Sequence, residues 1–111
     1  MSDLYQETLR RYQEALQEVK QQKPPALNIF ADMCITLLRL TDDELAHVMH
    51  AALEYFTAGV MPENLSRAEF LTFETVKNGI DRSTETYQKQ QEQRTLAGYK
   101  KFAKEHGFTF P

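Results

Sequence analysis

The sequence predicts an all-α fold, a small bundle of four to five helices with an extended C-terminal helix and an N-terminal helical arm. Three observations carry this expectation. An apolar stripe at 4-3-4-3 spacing opens the chain, two capping boxes stand at Thr41-Asp42-Asp43-Glu44 and Ser66-Arg67-Ala68-Glu69, and a second long stripe begins at Phe70. Each is a helix signal of a different physical kind: side-chain periodicity, satisfaction of the first backbone donors, and sustained burial of one face.

The first stripe is Tyr5, Leu9, Tyr12, Leu16 and Val19, which lines one side of a helix of about five turns. Ser2 is placed to cap its start. Its other positions are Gln, Glu, Arg and Lys, so residues 1–22 read as a packing arm. Lys23-Pro24-Pro25 ends it, because two prolines remove two donors and push the preceding residue out of helical geometry; residues 23–28 form a stiff connector. From Ile29 to Leu38 apolar side chains occur on all sides, which predicts a short buried helix capped by Asn28. A strand is the competing assignment, and the Met, Ala and Leu content favours helix. Cys34 then falls in the core.

The first capping box, with Leu40 and Leu45 as a hydrophobic staple, starts a helix at Asp42. Its Leu45, Val48, Met49, Ala52, Leu53 and Phe56 fall within roughly 140° of arc, and Gly59 supplies the stop. The second box, stapled by Leu65 and Phe70, starts another helix at Arg67. Its stripe runs through Phe73, Val76 and Ile80 and fades into Thr84, Tyr87, Gln91 and Arg94, so the helix leaves the core past residue 84 as an arm able to pair with the first helix. Gly98 reads as a break or kink before a short patch at Tyr99, Phe102 and Ala103, closed by His106-Gly107. The tail Phe108-Thr109-Phe110-Pro111 is expected to dock, since exposed aromatic pairs are uncommon on monomers. Residues 29–111 are thus read as one helical domain.

Composition narrows the function classes. With 111 residues, a two-lobed enzyme is improbable, and 41% hydrophobic residues suffice for a core. A single cysteine forms no internal disulfide, and no Cys/His set has zinc-finger spacing, which fits a reducing compartment. No export leader opens the chain and no apolar run reaches the ~18 residues of a membrane span, so the cytoplasm is the expected location, with no membrane partner. The net charge of -3 argues against a protein that coats nucleic acid with its whole surface. The charge is uneven: residues 1–62 hold five basic and nine acidic side chains, residues 63–111 eight and seven.

Nucleophilic catalysis needs an activated Ser, Thr or Cys, and none sits in a glycine-flanked elbow; the scattered glycines form no phosphate loop. No cofactor and no enzyme activity are expected. Asp43, His47, His50 and Glu54, at 4-3-4 spacing, form one polar helix face that is a weak candidate for a metal, a solvated face or an interface being the commoner reading. Lys89, Arg94, Lys100, Lys101 and Lys104, interleaved with Tyr87, Tyr99 and Phe102, form a modest basic and aromatic patch that suits nucleic acid as an alternative function.

The stretch from Phe30 to about Lys101 resembles a family of small uncharacterised helical domains encoded by bacteriophages and prophages, often near replication genes. Carriers of the resemblance are Phe30-Ala31-Asp32, Leu40-Thr41-Asp42-Asp43-Glu44, Ala52-Leu53-Glu54-Tyr55 with Gly59 and Pro62, Phe73, Val76-Lys77, Ile80-Asp81-Arg82 and Tyr87. No catalytic residues come with it. Members commonly end in a glycine- and lysine-rich tail after a segment like Ala97-Gly98-Tyr99-Lys100-Lys101, whereas this chain continues from Phe102 to Pro111. The missing catalytic constellation, the acidic net charge, the unpartnered seam and the aromatic tail point to a non-enzymatic interaction protein, which the resemblance implies is phage-like and works in a bacterial host cell. It is expected to bind a host or phage protein complex, either as an inhibitor of a host defence enzyme, of the anti-CRISPR type, or as a replication accessory. Tyr5, Leu9, Tyr12, Leu16 and Val19, with Phe108 and Phe110, are the expected partner-binding residues, because the seam has no evident internal partner. The same seam allows a homodimer.

Overall fold

A computed structural model describes residues 2–28 and 30–110 and contains four helices, with no strand among the described residues: α1 (Ser2–Val19), α2 (Ala31–Leu38), α3 (Asp42–Ala58) and α4 (Arg67–Glu105). The all-α expectation holds. The Ser2 side chain, Ile29 and Pro111 lie outside the described residues, and with them the Ser2 cap and the first residue expected of α2.

Both capping boxes form. In α3 the Glu44 backbone N–H donates to Thr41 Oγ1 at 3.2 Å while the Thr41 N–H donates to Glu44 Oε1 at 2.9 Å. In α4 the Glu69 N–H donates to Ser66 Oγ at 3.2 Å and the Ser66 N–H to Glu69 Oε1 at 2.8 Å. Two otherwise unpaired donors are satisfied at each start, which is why both boundaries fall where the boxes put them. Gly59 closes α3 in the left-handed conformation, φ 70°, its N–H donating to the Tyr55 carbonyl at 2.9 Å.

Two boundaries differ from expectation. The residue capping α2 is Phe30, with no side-chain hydrogen bond, and not Asn28. Gly98 does not break α4, which runs on for 39 residues to Glu105. One glycine in a helix interior costs about 1 kcal/mol relative to alanine, too little to end a helix whose next turns are held by packing. That packing comes from Tyr99, which meets Phe110, and from Ala103, which is buried.

The chain packs as two compact units, residues 25–83 and residues 1–24 with 84–111. These cuts fall elsewhere than the arm, connector and domain boundaries at 22 and 28, because α1 finds its apolar neighbours on the second part of α4. In residues 25–83, Leu37, Val48, Ala51, Ala52, Phe73, Val76 and Ile80 form one buried cluster, and Met33 is buried against Gly79, where a Cβ would stand 1.7 Å from Met33 Cε. In the other unit, Tyr12 meets the Phe110 ring edge-on at 5.0 Å and Tyr99 at 5.5 Å, while Tyr5 meets Phe108 edge-on at 5.8 Å. Gln88 Nε2 donates to the carbonyls of Lys20 and Gln22, both at 2.9 Å, tying the end of α1 down.

Candidate functional site

α2 carries apolar side chains on two sides, with Asp32 and Thr36 as a polar strip between them, and buries only one of the two. Met33 and Leu37, one turn apart, enter the core of their unit, and Ala31, Cys34, Ile35 and Leu38 lie along the opposite, exposed side. Ile35 is 59% exposed and Leu38 81% exposed. The expectation of a buried helix with Cys34 in the core is therefore corrected: eight residues present two apolar faces, and among the described residues the core of its own unit covers only that of Met33 and Leu37. Phe30, at the start of the helix, is also 44% exposed. An uncovered apolar helix face of this kind is a mark of a docking surface rather than of a catalytic cleft.

The residues expected to bind a partner are placed differently. Tyr5, Tyr12, Phe108 and Phe110 contact one another or Tyr99 within their own unit, Val19 is buried, and Leu9 and Leu16 are half-buried. The seam has an internal partner after all, made of the C-terminal part of α4 and the docked tail. Edge-to-face ring pairs add to the area they bury, which favours this closure over an open seam.

The polar face of α3 does not assemble as a metal site. His47 Nδ1 lies 2.6 Å from Glu69 Oε2, and His50 Nδ1 lies 3.6 Å from Glu54 Oε1, so the two imidazoles face different carboxylates. Among the described residues no group of three or more His, Cys, Asp or Glu could hold a metal ion. Glu69 is the buried member of its pair; the Ser66 backbone N–H, then the His47 ring, hold its carboxyl below the ordinary value.

Sequence reasoning missed a second network. Tyr55 Oη donates to Asp81 Oδ1 at 2.5 Å, and Lys77 Nζ donates to Asp81 Oδ2 at 2.8 Å while standing 5.1 Å from the Tyr55 ring centre. Burial pushes the Asp81 carboxyl up, but the hydrogen bonds from Lys77 and Tyr55 outweigh it and leave it lowered. The bond to Asp81, with burial, raises the Tyr55 phenol. A phenol held protonated against an ionised carboxylate clamps α3 to α4 and offers no nucleophile. Lys77 and Asp81 are spaced i, i+4, a readable pair, but Tyr55 joins them only through tertiary packing.

The basic patch is only partly a patch. Lys89 pairs with Glu85 at 3.5 Å, and Arg94, Lys100, Lys101 and Lys104 are exposed. Its aromatic members are engaged locally: Tyr99 packs on Tyr12 and Phe110, and Phe102 stacks on the exposed His106 with ring centres 4.1 Å apart. Among the described residues, no helix is long and apolar enough to cross a membrane.

No curated protein and no solved structure matches the chain. A family model does match, over residues 27–105, which takes in the exposed α2 face, both capping boxes and the Tyr55–Asp81–Lys77 network. The chain belongs to this family, a family of unknown function (DUF6291).

Proposed function

We propose that this chain is a non-enzymatic interaction protein of the phage-encoded kind, which docks a protein partner on the exposed face of α2 in the bacterial cytoplasm. The target is a host defence enzyme that it inhibits or a replication assembly that it assists. The observation that carries the reading is the α2 face itself, where Leu38 and Ile35 are more than half exposed on an eight-residue helix that has no polar side chain between them on that side. Helix-in-groove recognition reads such i, i+3, i+4, i+7 anchors. The seam of α1 and the tail phenylalanines, already packed, leave this role to α2.

The test compares tagged wild type with the Ile35→Asp/Leu38→Asp double variant in capture from a bacterial lysate, with and without nuclease. Both positions are exposed, so circular dichroism should be unchanged. The expected outcome is a defined protein set that survives nuclease and is lost with the variant. An identical set on the variant would overturn the reading.

A second reading, nucleic-acid binding, is supported by one observation: Arg94, Lys100, Lys101 and Lys104 are exposed and make no ion pair among the described residues. Recovery lost on nuclease treatment, with an affinity that falls steeply with salt, would put it first.

A further inference from the structure

Within the unit formed by residues 1–24 and 84–111, α1 and the second part of α4 leave a groove of about 470 Å³ between them. Leu4, Thr8 and Arg11 line it from α1, and Thr95, Gly98 and Phe102 from α4, each set one turn apart along its helix. The volume falls in the range of small-molecule sites.

Its polar groups are almost all committed. The Thr8 hydroxyl donates to the Leu4 carbonyl at 2.7 Å and the Thr95 hydroxyl to the Gln91 carbonyl at 2.8 Å. Arg11 is bound to Glu7, also on the lining, at 2.9 Å. That leaves Arg94, whose guanidinium has no hydrogen bond or ion pair among the described residues, beside the apolar walls of Leu4, Tyr99 and Phe102. One uncommitted planar cation on the lining of a groove that also has apolar walls selects a molecule with one planar anionic head and an apolar body. Glu7 disfavours a head carrying a second negative charge.

Gly98 points the same way. It has no positive φ, so its backbone conformation is open to any residue, and a Cβ there would meet nothing within 4 Å. Neither a turn nor a close approach requires a poor helix former in this part of α4, and its missing side chain leaves the groove open beside it. Gly79, in the same helix, is the contrast, since Met33 fills the space beside it.

We propose that this groove binds an amphiphilic monocarboxylate, its head on Arg94 and its apolar body along Leu4, Tyr99 and Phe102. At about 30 Å³ per water-sized volume, the groove holds a body of roughly ten to fifteen heavy atoms, the size of a medium-chain fatty acid. This binding goes beyond the docking role of α2 and involves none of its residues.

The experiment titrates the full chain with decanoate, below its micelle concentration, and with decylamine, following tyrosine fluorescence and calorimetry. Expected are saturable one-to-one binding of decanoate and at least tenfold weaker binding of decylamine. Arg94→Gln, an exposed position, should weaken decanoate at least tenfold with an unchanged melting temperature. Gly98→Leu should remove binding while melting at or above wild type, because leucine is the better helix former and its side chain fills the groove. Equal binding of the two amphiphiles, no saturable decanoate binding, or full binding by a folded Gly98→Leu protein would each overturn the proposal.

Discussion

Residues 25–83 are held by one contiguous cluster of buried side chains, with Val48, Ala52 and Phe73 all at 0% exposure, whereas residues 1–24 and 84–110 bury Val19, Ala103 and Phe110 among rings that are only half-buried, Tyr5, Tyr12, Tyr99 and Phe108. The first unit also carries two partly buried charged groups, Glu69–His47 and Asp81–Lys77–Tyr55, beside the exposed pair His50–Glu54. The second carries exposed one-turn pairs, Arg10–Glu14, Arg11–Glu7 and Lys89–Glu85, which contribute little in water. The difference teaches where change is tolerated. A close-packed aliphatic cluster resists any change of volume, and an aromatic seam beside an open groove leaves room for one.

The sharpest way to break this comparison is truncation of a central ring in each unit. Phe73→Ala should destabilise residues 25–83 by roughly 3–5 kcal/mol, read by urea titration and by faster amide exchange in α3. Phe110→Ala, whose ring leans on two half-exposed tyrosines, should cost roughly 2 kcal/mol and speed exchange in α1. Equal losses would erase the distinction between core and seam.

The glycines of α4 give a smaller effect of opposite sign. Gly79→Ala forces a Cβ onto Met33, and overpacking of typically 1–3 kcal/mol against about 1 kcal/mol of improved helix propensity leaves a net loss of about 1 kcal/mol. Gly98→Ala meets nothing and should gain about 1 kcal/mol. Urea midpoints of the two variants should move in opposite directions, and a shared direction would show that the two sites are packed alike.

The smallest effect is electrostatic. Because the Glu69 carboxyl is lowered in the folded chain from the ordinary 4.5, the unfolded chain binds its proton first as pH falls. The stabilisation is therefore fully present above about pH 4.5 and is lost as pH drops through the lower folded value. Glu69→Gln keeps an acceptor for the Ser66 N–H but carries no charge, so the acid limb of its pH–stability profile should be shallower than that of wild type. Identical acid limbs would remove Glu69 from that role.

Much of this was legible locally. The two capping boxes predicted the starts of α3 and α4 at Asp42 and Arg67, and Gly59 predicted the end of α3, because each signal is complete within four or five residues. The core face of α4 through Ile80 followed from helical spacing in the same way. The candidate site was less legible. A run as apolar as that of α2 states that one face will be covered and not which, and the seam of α1 looked vacant because its ring partners, Tyr99 and Phe110, lie far along the chain.

What the sequence by itself determined is therefore the all-α class and the helix starts and stops set by hydrogen bonds and periodicity, interactions that close within one or two turns. The tertiary structure alone decided that α2 leaves Ile35 and Leu38 uncovered, that α4 runs through Gly98, that α1 is where the docking tail lands, and that Tyr55 reaches Asp81. Those outcomes depend on which surfaces are available to bury a side chain, and distant parts of the chain supply those surfaces only once it has folded.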